Sequence, residues 1–311
     1  MPLDSATQRW LAAAPAFSAA VPLAVMRSAT DAGLIAGQQP VAGEIRDWQA
    51  LSIEAEDGWP IAVRIYFPAG AEDDQAHPAL VYAHGGGWCL GGLDAWNTPC
   101  QQLADATGSV VFSVGYRLAP EHPFPVPLSD FYAALCAIAD RADSLGIDPQ
   151  RIAVGGDSAG GNLAAAACLL ARDRQGPLIA RQLLLYPALD TAMQSASWQQ
   201  FGEGFGLTRS VMEYCWERYL PDAREQQNPL ASPSAAASLH GLPDTLLLSC
   251  ECDPLRDEAE EYARRLARDG NRVRLVRLAG AVHGAMHMTA VTPAAWGVFE
   301  QCAALWDKPA T

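Results

Sequence analysis

The chain has 311 residues, half of them hydrophobic, with 26 Gly, 22 Pro and a net charge of −14. That size fits one large α/β domain with an insertion or two ordinary domains, and the apolar content excludes a disordered chain. The acidic surplus argues against nucleic acid or an anionic membrane as partner, because both require a basic face. Eight cysteines are present without a C-x-x-C pair, mostly in apolar runs. They read as small buried hydrophobes in a reducing compartment.

The first 45 residues are expected to be helical and unusually apolar, with Trp10, Phe17, Val21, Leu23, Val25 and Met26. Pro15 and Pro22 interrupt the run, and only Arg9 precedes it as a cation. It is too short and broken to span a bilayer and does not read as a secretory signal, so a cytoplasmic protein is expected. Residues 48–56 and 60–67 alternate as strands around an Asp57-Gly58 turn. A polar loop over 69–78 follows, then the continuous apolar run Ala79–Ala83, which suits a strand buried on both faces. That strand ends in His84-Gly85-Gly86-Gly87-Trp88.

Beyond it the pattern predicts a helix over 94–107, a strand from Ser109 to Val114, a helix over 127–145, and a strand leading to Ser158. A long Ala/Leu-rich helix to about Arg174 and a strand Gln182–Tyr186 come next. Residues 190–235 break the rhythm with Trp198, Phe201, Phe205, Met212, Tyr214, Trp216 and Tyr219, and read as an inserted helical lid. The alternation resumes with strand 244–251, helix 257–269, strand 272–278, a loop holding His283, and a last helix from Pro293 to Trp306. Strands alternating with helices imply a mostly parallel sheet covered on both faces. The expected division is a catalytic unit over 46–189 and 236–311 and a helical cap over 1–45 and 190–235.

Chemistry concentrates at Gly156-Asp157-Ser158-Ala159-Gly160, a G-x-S-x-G between a strand and a helix. Such a turn lifts a serine hydroxyl to the top of a sheet. A neutral serine is a poor nucleophile and needs a base, which in turn needs an orienting group. Asp253 follows strand Leu246–Cys250 and His283 follows strand Val273–Leu278, in the order nucleophile, acid, histidine. Glu251, Asp257 and Glu258 compete as the acid, but Glu251 sits deeper and the other two fall where a helix begins. His287 lies one helical turn from His283, but no third metal ligand accompanies the two, so no metal is expected. His77, His122 and His240 neighbour proline or glycine in loops. The cysteines at 250 and 252 alternate along one strand and should face the same way.

Three consecutive glycines after a buried strand let a backbone approach a substrate with free N–H groups. The loop has no following lysine and lacks the G-x-x-x-x-G-K pattern of a phosphate cradle.

Taken in order, five segments resemble the bacterial hormone-sensitive-lipase-like carboxylesterases of the α/β-hydrolase fold: His84–Trp88, Tyr116-Arg117-Leu118-Ala119-Pro120-Glu121, Gly156–Asn162, Asp253-Pro254-Leu255-Arg256-Asp257-Glu258 and His283-Gly284. The resemblance spans about residues 78–285. It implies Ser158, Asp253 and His283 as triad, and the N–H groups of Gly85, Gly86 and Ala159 as oxyanion hole. It also implies a helical cap and cleavage of short- to medium-chain acyl esters without a cofactor. Trp88, Asp157 and Phe205 are the expected substrate-contacting residues, and a homodimer paired through edge strands is expected. Three positions depart from the family pattern: Gly115 replaces an acid, Ala285 an aromatic residue and Ala259 a glycine. An amidase on the same fold and a ligand receptor are the rival readings. The intact Ser, Asp and His argue against the receptor.

Overall fold

The computed structural model describes residues 3–14, 17–40, 48–71 and 75–307. Helices α1 (Ser5–Ala13) and α2 (Leu23–Ala36) precede a hairpin of β1 (Gln49–Glu54) and β2 (Pro60–Tyr66). Then come β3 (His77–Ala83), α3 (Asn97–Thr107), β4 (Val110–Gly115), α4 (Val126–Asp140), β5 (Ile147–Asp157), α5 (Ala159–Arg174) and β6 (Arg181–Leu185). Next are α6 (Ala196–Phe201), α7 (Arg209–Tyr219), β7 (Asp244–Cys252), α8 (Arg256–Arg268), β8 (Val273–Val282) and α9 (Trp296–Cys302).

The strands form one eight-stranded sheet in the order β1-β2-β4-β3-β5-β6-β7-β8. β2 runs antiparallel to both of its neighbours, β1 and β4, while β3 to β8 run parallel to one another. The apolar runs are continuous because each central strand feeds two cores at once. Alternate residues on a strand face opposite ways. Thus Ala79, Val81 and Ala83 join Leu184 and Leu247 on one face, against Phe131 and Leu135 of α4, Leu163 of α5 and Tyr262 of α8. Leu80 and Tyr82 join Leu183, Leu185, Leu246 and Leu248 on the other, against Leu103 of α3 and Phe299 of α9. Helix α5 is buried nearly all round from Ala159 to Ala171, which its run of small alanines permits.

Several expected bounds shift. Among the described residues the N-terminal region holds two helices, and residues 17–22 ahead of α2 are not helical. Residues 15–16, 41–47 and 72–74 lie outside the described residues, so part of the expected helical region and of the 69–78 loop does too. His77 opens β3 and is not in a loop. The strand before His283 continues to Val282, so the histidine leaves directly from the sheet edge. The last helix begins at Trp296 after a short 3-10 turn, Pro293–Ala295, and ends at Cys302. A register irregularity separates Cys250 from Cys252. Cys250 packs with the α9 face of the sheet and Cys252 with Phe201, Val282 and Leu11, so the pair does not share one environment. All eight cysteines are free thiols.

Residues of the insertion divide between the main core and two small clusters shared with the N-terminal helices. Trp198, Met212, Trp216 and Tyr219 belong to the same cluster as β3 and α4. Helix α1 packs Trp10 and Leu11 on Phe201 and Phe205, and Met26 of α2 meets Tyr214 and Cys215 of α7. No helix among the described residues is long and apolar enough to cross a membrane.

Candidate active site

Ser158 sits between β5 and α5 with φ 53° and ψ −119°, a left-handed conformation rare for a residue bearing a side chain. The bend requires glycine on both sides. A Cβ on Gly156 would strike the Gly160 backbone, and one on Gly160 would strike the Ala83 and His84 carbonyls. These are backbone obstacles that cannot swing aside. The Ser158 N–H donates to the Leu185 carbonyl at 2.9 Å, which ties the turn to β6.

The turn meets two side chains delivered by neighbouring strands. Ser158 Oγ lies 2.9 Å from His283 Nε2, and His283 Nδ1 lies 2.8 Å from Asp253 Oδ2. Asp253 is fully buried, and the other carboxylate oxygen accepts from the Leu255 N–H at 2.9 Å. An ionised carboxylate only accepts, so the proton resides on Nδ1. That leaves Nε2 to accept from the serine hydroxyl. Tyr186 packs edge-on against the His283 ring, with centroids 5.1 Å apart, and limits its rotation.

The rival acids are engaged elsewhere. Glu251 accepts from the Gly280 N–H at 2.7 Å, and Asp257 accepts from the Ser197 N–H at 2.8 Å. Glu258 accepts from the N–H groups of Leu189 and Asp190 and from Trp198 Nε1, at 2.8, 3.2 and 3.2 Å. Burial pushes its carboxyl up to about 8. His287 is buried beside Gln38, 2.9 Å away, and burial lowers it to about 3. His84 stacks on Tyr116 and is lowered by burial to about 4. No cluster of metal-ligating side chains occurs among the described residues.

The glycine loop differs from expectation at one position. The Gly85 N–H is committed to Asp157 Oδ1 at 3.0 Å and cannot turn to a substrate. The Gly86 carbonyl accepts from Cys89 and Leu90, closing a tight turn. The N–H groups of Gly86 and Gly87 have no acceptor among the described residues. With the first N–H of α5, at Ala159, they form the set of free donors beside Ser158. Of the expected pair Gly85 and Gly86, Gly86 alone keeps a free N–H, and Gly87 is free beside it.

Two of the three expected substrate contacts are also placed otherwise. Asp157 is 2% exposed, and its Oδ1 accepts from Tyr82 Oη, Trp96 Nε1 and Gly85 N at 2.9, 2.8 and 3.0 Å. It anchors the glycine loop, and burial pushes its carboxyl up to about 6. Trp88 is fully buried, stacked on Tyr219 with centroids 4.3 Å apart and planes within 3°. It wedges the loop against α7. Phe205 is half-buried, edge-on to Phe201, and lines a cleft of about 490 Å³ with Leu3, Gln8 and Arg256. Gly115 is tightly enclosed, with Leu93 and the Ala62 carbonyl within 3.2 Å of where a Cβ would sit, so no acid fits without movement.

A family model described as the alpha/beta hydrolase fold matches residues 80–287. The chain belongs to this family, among its hormone-sensitive-lipase-like carboxylic ester hydrolases. The match takes in the glycine loop, Ser158, Asp253 and His283. Among relatives of this hydrolase, the carboxylic ester hydrolase LipN of Mycobacterium tuberculosis is 43% identical over 76% of the chain. The chain spans 64% of that relative's length. The ethyl acetate hydrolase of Pseudomonas putida is 37% identical over 83% of this chain and 80% of its own. The hyperthermophilic esterase of Pyrobaculum calidifontis superposes with a TM-score of 0.90 at 35% identity, covering 98% of this chain and 97% of that one.

Proposed function

We propose that the protein is a serine carboxylesterase that cleaves short- to medium-chain acyl esters through an acyl-enzyme. The observation that carries this reading is the continuous line from Asp253 through His283 to Ser158, at 2.8 and 2.9 Å, beside three free backbone donors. His283 Nε2 takes the hydroxyl proton as Ser158 Oγ attacks the ester carbonyl. The N–H groups of Gly86, Gly87 and Ala159 receive the charge that forms on the carbonyl oxygen. His283 then gives its proton to the departing alkoxide, which leaves as the alcohol. Water repeats the sequence on the acyl-enzyme, with His283 as base, and returns Ser158 with the free acid. Asp253 holds the Nδ1–H tautomer and stabilises the imidazolium formed in each half-reaction.

Helices α1 and α2 and the 190–235 insertion act as a cap. Their support is the packing of Trp10 and Leu11 on Phe201 and Phe205, and of Met26 on Tyr214. Acyl length is then set where the cap meets the serine. The named relatives include an ethyl acetate hydrolase, a small-ester enzyme. Hydrolysis of p-nitrophenyl esters from acetate to palmitate tests the proposal. A maximum at short chains, with turnover lowered about 10⁶-fold in Ser158→Ala, is expected. Activity retained in that variant contradicts the assignment.

A further inference from the structure

We propose that Arg27 is a positioning residue for the oxyanion loop, coupling helix α2 to the catalytic machinery; this rests on the esterase reading above. Arg27 is the single cation between Arg9 and Arg46. Its guanidinium reaches two distant segments at once. Nε donates to the Cys89 carbonyl at 2.8 Å, and Nη2 donates to the Ala119 carbonyl at 3.0 Å. Nη1 and Nη2 also grip both oxygens of Glu121, at 2.8 and 2.7 Å.

The two carbonyls belong to one construction. Cys89 closes the turn onto the Gly86 carbonyl, and the Ala119 N–H donates to the Trp88 carbonyl at 2.9 Å. One planar side chain therefore clamps residues 88–89 to 119–121, immediately after the donors at Gly86 and Gly87. Asp157 fixes the other end of the same loop at Gly85. The loop is thus held before its free donors by the nucleophile's neighbour and after them by α2.

The partly exposed ion pair with Glu121 contributes little alone, since solvent screens it. Its use is orientation: with Glu121 holding one edge of the fork, the remaining N–H groups face the two carbonyls. Arginine alone has donors in that fixed array, and a lysine ammonium cannot fill all three places. Oxyanion donors act through geometry, and a misplacement of about 1 Å can cost about 10²-fold in rate. Part of the role of α2 is then to keep the donors aimed, for every substrate alike.

A pure covering role would change preference among acyl chains; a positioning role lowers kcat for all of them. The test compares the unsubstituted chain with Arg27→Met and Arg27→Lys on p-nitrophenyl acetate and p-nitrophenyl octanoate. Rates are normalised to sites titrated with a p-nitrophenyl phosphonate. Arg27→Met should lose about tenfold in kcat on both esters with KM within about twofold, and phosphonylation should slow in parallel. Arg27→Lys should fall between, and it carries the same test if the Met variant does not fold. Unchanged kcat per titrated site, or a loss confined to one acyl length or to KM, overturns the proposal alone. Absence of turnover and titration in the unsubstituted chain overturns the esterase reading and this proposal with it.

Discussion

The Asp157 carboxylate accepts from the Gly85 backbone N–H at 3.0 Å, so the residue beside the nucleophile holds the first glycine of the loop that faces it. The same oxygen gathers Tyr82 Oη and Trp96 Nε1, one from β3 and one from the start of α3. Nucleophile turn and glycine loop are therefore set against each other by one buried acceptor.

Removing that acceptor should damage turnover more than binding. Asp157→Ala leaves three donors without a partner and frees the loop, and a loss of about 10² in kcat with little change in KM is expected. Asp157→Asn keeps an oxygen in place and should lose less than about tenfold. Steady-state kinetics on p-nitrophenyl acetate decide it. A rise in KM alone would point instead to direct substrate contact.

Glu258 links stability to pH. Burial raises its carboxyl from an ordinary 4.5 to about 8. The folded chain therefore keeps the proton through neutral pH while the unfolded chain gives it up. The stability from this group is complete below about 4.5, falls as pH rises above that, and is lost through about 8, at no more than about 1.4 kcal/mol per pH unit. Urea midpoints across that window should fall more steeply in the parent than in Glu258→Gln. Equal slopes would show that other groups govern the dependence.

The nucleophile turn is expected to reject any side chain at Gly160. A Cβ there meets the Ala83 and His84 carbonyls, so Gly160→Ala should cost upwards of about 3 kcal/mol or prevent folding. Gly92 has open space around its Cβ position, and Gly92→Ala should stay within about 0.5 kcal/mol. Urea unfolding of the two variants provides the comparison, and a stable Gly160→Ala would show that the bend can open.

What was legible in the chain follows from how local each signal is. Apolar runs at Ala79–Ala83 and Leu246–Cys250, each bounded by turn residues, announce buried strands. Ser158 lies between a strand and a helix, and order together with placement after a strand pointed to an aspartate and a histidine that lie 2.8 Å from each other. The choice among Gly85, Gly86 and Gly87 was not legible. Three identical residues differ only through Asp157, 72 positions away from Gly85. Trp88 read as a substrate contact because its partners Trp216 and Tyr219 lie in an insertion whose path the pattern leaves undetermined. Arg27 left one trace, as the lone cation between Arg9 and Arg46, but its acceptors are two carbonyls and a glutamate 62 to 94 residues distant. Cys250 and Cys252 misled because strict alternation fails at a register irregularity.

The central claim is that Ser158 is the nucleophile, and covalent trapping tests it most directly. The chain would be treated with a p-nitrophenyl phosphonate, with released p-nitrophenolate counted and the modified peptide mapped by mass. One equivalent released per chain, with the added mass on Ser158 and no release from Ser158→Ala, is the predicted result. Release from the Ser158→Ala chain, or a label on another residue in the parent, would contradict the account.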